Sequence, residues 1–427
     1  MDALVLIGAF FVLCAIGMPV AYTLGLSAVT AALWVGLPLE AVMLKISDGT
    51  DDFALLAIPF FVLAGAIMAE GGMARRLVDL AQVLIGFVRG GLAVVNIVAS
   101  TFFAGVSGSS VADTASIGTV MIPQMIRAGY PRVFSTNVTI CGSVQAILIP
   151  PSHNAVIYSL AAGGTISIAH LFLAGVFPGL LFGVCLIGLV LITAYRQGFP
   201  KAQAIPVRQA LWIALDALWG LGTMAIILGG ILGGVFTATE SAAIACVYAF
   251  LVTFFVYRDY KWRDLPRLIH RTVKTVAMVM MLIGFSVAFG YMMAILQIPA
   301  RATEFFLAFT TNKYVMLMLV NVLLLGLGTF LDLAPMILIC TPILLPVLVK
   351  LGVDPVHFGM ILLVNGGIGL ITPPVGPTLF VGCAIGRVTM EEVSRELWPF
   401  YTAMVLALLL VTYVPALSLW LPSLLKY

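Results

Sequence analysis

Two stretches of this chain gather hard oxygen donors within otherwise apolar sequence. The first, GVSGSSVADT from Gly105, holds Ser107, Ser109, Ser110 and Asp113, and the second, GTFLDLAP from Gly328, holds Thr329 and Asp332. Downstream of each comes a proline pair with polar neighbours, PPSHN at Pro150–Asn154 and TPPVGPT at Thr372–Thr378. Hydroxyls, amide carbonyls and backbone carbonyls suit a cation the size of Na+, which wants about five or six hard oxygens and no thiol or imidazole. Ser107, Ser109, Ser110 and Asn154 can serve one such site, and Thr329, Asp332 and Thr372 a second. Asp113 and Asp332 are the most informative acids, because a carboxylate at the centre of a bilayer costs roughly 2.5 to 3.5 kcal/mol. Either could instead cap or pin a helix through backbone amides. That role weighs more for Asp113 than for Asp332, which is lodged between Leu331 and Leu333.

The elements that hold these residues come twice. Adding 223 to a residue number carries Gly105 onto Gly328, Pro123 onto Pro346, Gly129 onto Gly352, Pro150 onto Pro373, Pro151 onto Pro374, Ala161 onto Ala384 and Gly163 onto Gly386, without a gap. Such register points to an internal duplication. Upstream, FFVLAGAIMA at Phe60–Ala69 matches FSVAFGYMMA at Phe285–Ala294 at an offset of 225, a two-residue insertion. A helix stopped by a proline pair leaves carbonyls unpaired at one broken end and amides at the other. The carbonyl end suits a cation and the amide end an anion. Folding is expected to bring each polar turn against its own break.

Composition sets the solvent. With 62% hydrophobic and 9% charged residues and a mean hydropathy of +1.16, the chain has more apolar surface than a soluble core can hide. It reads as one multi-pass integral membrane domain in a lipid bilayer. The opening MDALVLIGAFFVLCAIGMPVAY is expected to be a retained first helix and not a removed leader. The six cysteines each sit alone in apolar sequence, so neither a disulfide framework nor a zinc site is expected, and the scattered net charge of +3 gives no support for nucleic acid. No Ser-His-Asp, HExxH or P-loop pattern appears. An enzyme is therefore not expected, no cofactor is implied, and ATP is excluded as the direct energy source.

Along the chain, residues 1–197 form a first repeat, 198–212 a connecting loop and 213–427 a second repeat. Re-entrant hairpins are expected at about 103–130 and 326–353, and broken helices at about 133–163 and 356–386. Such backbone survives at membrane depth only where protein or a watery cavity covers it. Pro19 in GMPVAYTLG is expected to kink one spanning helix, matched by GGVFTATES in the second half. Leu80–Phe103 reads as a single span, and Arg258–Lys274 as a surface helix mirroring Glu40–Asp52. Glu240 is expected to cap a helix through Thr237 or Thr239. Arg75, Arg89, Arg127 and Arg301 could meet an anion, although arginine near a helix end more often snorkels. Joining two halves with an odd number of crossings inverts the second, the plan of secondary transporters. In that topology Arg196–Arg208 and Arg258–Lys274 fall on opposite faces.

With GVSGSSVADT, MIPQMIRAGY, GGVFTATESAA and ITPPVGPTLF in this order, the chain resembles the large, DctM-like membrane subunit of tripartite ATP-independent periplasmic (TRAP) transporters. The resemblance runs nearly end to end. It implies an all-α, elevator-type permease of two inverted repeats in a bacterial inner membrane, with Na+ as coupling ion. It also implies a small four-helix membrane subunit and a periplasmic substrate-binding protein as partners. The cargo would be an organic acid such as a dicarboxylate, sugar acid or sialic acid. Carried over by position, the first Na+ site would take Ser107, Gly108, Ser109, Ser110 and Asp113 with Pro151 and Asn154. The second would take Gly328, Thr329 and Asp332 with Thr372, Pro373 and Gly376. Substrate would sit between them, near Ser152, His153, Asn154, Pro374 and Thr378. His153 departs from the simpler small-residue run of relatives, which ties it to substrate choice. The competing expectation is a stand-alone ion-coupled carboxylate carrier of the wider ion-transporter class.

Overall fold

Proline and glycine cut the apolar sequence into more helices than its hydropathy alone suggests. The computed structural model describes residues 2–201 and 205–424, all helices and turns with no strand among them. Residues 1, 202–204 and 425–427, which include part of the expected connecting loop and the ends of both repeats, lie outside the described residues. Among the described residues six helices are long and apolar enough to cross a membrane, which makes the chain multi-pass.

The glycine breaks at Gly17 and Gly234 are turns and not kinks. Asp2–Ala15 and Val20–Val35 fold back on one another, Trp34 Nε1 donating to Asp2 Oδ1 at 3.3 Å. Val207–Leu232 and Ala238–Tyr257 do the same, with the Tyr248 hydroxyl on Trp219 O at 2.9 Å and the Tyr257 hydroxyl on Asp216 O at 2.7 Å. A single kinked span would change face, whereas a folded pair returns to the face it left. Consequently the described residues 205–208 lie at the same end of this helix pair as residue 258, where the second basic segment begins, contrary to the sequence expectation. Arg76 ties the first of these helices to the segment that follows the second, reaching Asp216 at 2.8 Å and Asp259 at 2.6 Å, while Arg89 donates to Phe199 O at 3.4 Å.

Two further boundaries differ from the sequence reading. Leu80–Phe103 is interrupted: Met73–Ile85 ends, Gly90 turns the chain at φ +72°, and Gly91–Ser107 begins. A Cβ on Gly91 would lie 2.1 Å from Gly86 O, so only glycine lets the chain turn this tightly. Arg258–Lys274 is no separate surface helix either, because Leu265–Ile295 is continuous over 31 residues. Its basic start is the first turns of a long crossing helix.

At the centre lie two helical hairpins, Gly91–Ser107 with Ser110–Arg127 and Lys313–Gly328 with Leu333–Lys350. Each begins one arm earlier than the ranges 103–130 and 326–353, because the sequence reading started them at the glycine of the turn. Beside them run two broken helices. Arg132–Leu148 and His153–Ala161 meet at 51°, and Pro355–Gly369 is separated from Pro377–Gly386 by the second proline pair. Ile149 is extended at φ −71°, ψ 127°, as the residue before a proline prefers. The proline nitrogens that follow have no hydrogen to continue the ladder.

The distal piece of each broken helix packs on the other half's hairpin, His153–Ala161 on Leu333–Lys350 and Pro377–Gly386 on Ser110–Arg127. Tyr158, fully buried, donates to Pro355 O at 2.6 Å, and a Cβ on Gly359 would lie 2.5 Å from its ring. The exchange locks both halves into one core.

Candidate cation sites and substrate cleft

The first turn is a chain reversal that only one residue type permits. Gly108 ends Gly91–Ser107 in the left-handed region at φ +59°, and a Cβ there would lie 2.6 Å from Pro151 O. The turn therefore rests on its own break, Pro150–Asn154. Ser109, extended, caps the next helix by accepting from Ala112 N at 3.4 Å. From here a chain of hydroxyls leads across the core. Thr378 donates to Ser110 at 3.1 Å, Ser110 and Ser143 are 3.0 Å apart, Thr114 donates to Ser143 at 2.7 Å, and Ser143 donates to Ile140 O at 2.7 Å. Because Ser143 has a single proton and gives it to Ile140, Ser110 is the donor in their pair.

Asp113 stands four residues past the cap and does not take the capping role weighed as its alternative. Its side chain is fully buried, and neither carboxylate oxygen has a hydrogen-bond partner. The buried hydroxyls of Ser100, Ser107 and Ser152 are equally unpartnered. A buried carboxylate left this way carries a desolvation cost that a bound cation would offset. The donor set is all hard oxygen, so it fits Na+ in kind.

The second turn meets its break through glycine on glycine. A Cβ on Gly369 would lie 2.7 Å from Gly328 O, and Val375 N donates to Thr329 O at 3.4 Å. Asp332 is exposed and is itself the N-cap of Leu333–Lys350, accepting from Leu333 N at 2.8 Å. Thr329 and Thr372 spend their hydroxyl protons on Gly326 O at 2.8 Å and Ile368 O at 2.7 Å, which leaves their oxygens free to accept. Gly376 sits at φ +24° where a Cβ would lie 3.2 Å from Thr372 O and 3.3 Å from Leu370 O, so two carbonyls of the break converge beside it. Pro373 lies within this break, and Pro374 is exposed.

A cleft of ≈ 530 Å³ opens between the helix Ala57–Glu70, the helix Leu265–Ile295 and the outer face of Ser110–Arg127. Ser107, Ser109 and His153 line it where it meets the first turn, and the ion pair Arg271 Nη1–Glu70 Oε1, 2.6 Å, stands along its wall. Of the residues assigned to substrate from sequence, His153 alone lines this cleft. Ser152, Asn154 and Thr378 are buried beside the first turn. Arg75, Arg127 and Arg301 are exposed and Arg89 is pinned to Phe199, so the cleft's arginine is one the sequence reading passed over. Arg271 was hidden because its segment read as a surface helix. Glu240 closes a capping box on Thr237, its expected role.

The family model described as "Tripartite ATP-independent periplasmic transporter, DctM component" matches residues 7–417. The uncharacterized protein YgiK of Salmonella typhimurium is 44% identical over 99% of this chain and 97% of its own length. The C4-dicarboxylate TRAP transporter large permease protein DctM of Rhodobacter capsulatus is 38% identical, with 100% of both chains covered. Among solved structures, the YdaH transporter of Alcanivorax borkumensis aligns with a TM-score of 0.63 at 16% identity, covering 88% of each chain, a likeness of fold alone.

Proposed function

The chain belongs to the DctM-component family of tripartite ATP-independent periplasmic transporters, an inner-membrane permease and not an enzyme, and we propose that it imports an organic acid by coupling to Na+. The observation that carries this is the meeting of each helical turn with its own proline break, with unpartnered hard oxygens gathered at the first. Ser107, Ser109, Ser110, Asp113 and Asn154, with the backbone at Gly108 and Pro151, would hold one Na+. Thr329, Asp332 and Thr372, with the backbone at Gly328, Pro373 and Gly376, would hold a second. A bound cation would supply positive charge that draws the carboxylate cargo toward the amide ends of the breaks.

Dicarboxylate cargo is favoured by the relative named for C4-dicarboxylates, and a relative named for 2,3-diketo-L-gulonate extends the reading to sugar acids. His153 faces the cleft from the first break and would read part of that cargo. A periplasmic binding protein delivers it, and a small four-helix subunit completes the membrane complex. The basic residues Arg208 and Arg258 sit at the same end of their helix pair, and the positive-inside rule reads that end as cytoplasmic. Glu70 and Arg271 lie toward it, so the cleft would open inward. The interlocked core would travel as one body against the helices that flank it, the two turns being re-entrant in inverted repeats.

Uptake of labelled succinate into proteoliposomes holding the whole complex tests this. Transport should need an inward Na+ gradient and the binding protein. Uptake that persists when Na+ is replaced by choline removes the coupling, and uptake without the other two proteins moves the chain to the stand-alone carriers. His153→Ala should weaken uptake and alter its pH dependence, and an unchanged profile removes it from the site.

A further inference from the structure

The cleft carries a guanidinium that the cation sites do not use. Arg271 gives Nη1 to Glu70 Oε1 at 2.6 Å, and the Tyr260 hydroxyl holds the other oxygen, Oε2, at 2.8 Å. Both carboxylate oxygens are thus engaged, and Glu70 is only 30% exposed while Arg271 is 63% exposed. Of the guanidinium's five N–H donors, only one on the Nη1 side meets an acceptor among the described residues, which leaves the rest of its fork to a planar two-oxygen acceptor. Among the residues lining the cleft it is the one permanent cation. Beyond it Thr272, Thr275, Ser116 and Thr119 line the walls, with Ser107 and Ser109 at the turn.

On the transport reading above, we infer that Arg271 binds the carboxylate of the cargo in the cleft, and that Glu70, itself held by Tyr260, is only its partner at rest, displaced when the cargo arrives. An ion pair this exposed contributes little to stability. Arg271 can therefore turn from Glu70 to an arriving carboxylate at small cost. An alternative role as a brace between the helices Ala57–Glu70 and Leu265–Ile295 gives a different signature. A brace fails alike whichever partner is removed, whereas an anion site fails on loss of Arg271 and survives loss of Glu70.

The test is thermal unfolding of the purified full chain in Na+, titrated with succinate or acetate against NaCl at matched ionic strength. Wild type should be stabilised by succinate beyond the salt control. Arg271→Gln should raise the half-saturating succinate about tenfold or more, as expected when a charge-assisted pair is lost. Arg271→Lys, which keeps the charge without the fork, should fall between, and it carries the test should the glutamine variant fail to fold. Glu70→Gln should bind succinate as well as wild type or better. Equal succinate affinity in wild type and Arg271→Gln, or equal losses in Arg271→Gln and Glu70→Gln, overturns the inference. So does a wild type that ignores both carboxylates, and in that case Na+-driven uptake by the whole complex still judges the transport reading separately.

Discussion

The two turns share a backbone plan but not a chemistry. In the duplication register Ser109 corresponds to Asp332, Ser110 to Leu333, Thr114 to Ile337 and Ser143 to Gly366. Ser109 and Asp332 do the same work, each capping the second arm of its hairpin. The other three pairs diverge. Around the first turn Ser110, Thr114 and Ser143 exchange hydrogen bonds, whereas around the second Leu333 fills the space left by Gly366, whose added Cβ would lie 2.1 Å from Leu333 Cδ1. The first turn is thus richer in buried side-chain oxygen, reaching the cleft only at Ser107, Ser109 and His153, whereas the second offers fewer hydroxyls and its acid is exposed. A duplicated fold can keep the geometry of a broken helix while its donors drift, because the geometry depends on glycine and proline at a few positions.

The largest effect should come from breaking that geometry. Gly369→Ala puts a Cβ 2.7, 2.8 and 2.9 Å from three backbone atoms of Gly328, none of which can rotate away. We expect little extractable folded protein and no uptake, a cost at or above the usual overpacking range of about 1–3 kcal/mol. Gly352→Ala is the control. Gly352 is left-handed at φ +74° but has open space around it, so it should lose only about 1–2 kcal/mol and keep transport. Size-exclusion yield and uptake check both. A well-behaved Gly369→Ala protein would mean that the second turn is not pinned on its break.

Next should come Asp113, the acid whose counterpart in the duplication register is Met336. Asp113→Asn removes a buried charge without removing volume, and with no partner to lose it should not destabilise the Na+-free protein. Na+ binding is another matter: the half-saturating Na+ for stabilisation should rise about tenfold or more, the scale of a lost charge-assisted contact. If Na+ stabilises Asp113→Asn as well as wild type, the first turn is not a cation site. Ser143→Ala should follow, stranding the Thr114 hydroxyl in a buried setting at a cost of about 1–3 kcal/mol. Its effect on melting temperature should exceed that of Ala at the half-buried Thr329, whose hydroxyl bonds only within its own turn.

How much was legible follows the same division. The proline pairs and glycines are punctuation, and they announced the duplication, the turns and the breaks because those residue types act through the backbone wherever they occur. The crossings were harder to count. A glycine between two short antiparallel helices, as at Gly17 or Gly234, looks in sequence like a kink in one long helix, and that misreading split the basic segments between two faces. Arg271 was lost because the start of a long crossing helix read as a separate surface helix. Ser143 could not be found, since nothing in the spacing from Ser110 says that their hydroxyls meet across two elements. The difference between the acids was available and passed over: subtracting 223 from Asp332 lands on Ser109, not on Asp113.

That register gives the gentlest test. Since Ser109 caps its helix with a hydroxyl, Asp332→Ser should preserve the cap while deleting the carboxylate, and Asp332→Ala should delete both. The alanine variant should lose about 1 kcal/mol, the ordinary worth of an N-cap, and the serine variant a few tenths at most. Any Na+ role of the carboxylate then appears in the serine variant alone, free of the capping loss. We expect its half-saturating Na+ to rise less than that of Asp113→Asn, because Asp332 is exposed and already commits Oδ1 to Leu333 N. A larger rise in Asp332→Ser than in Asp113→Asn would reverse the ranking of the two turns and make the open site the one that senses the ion.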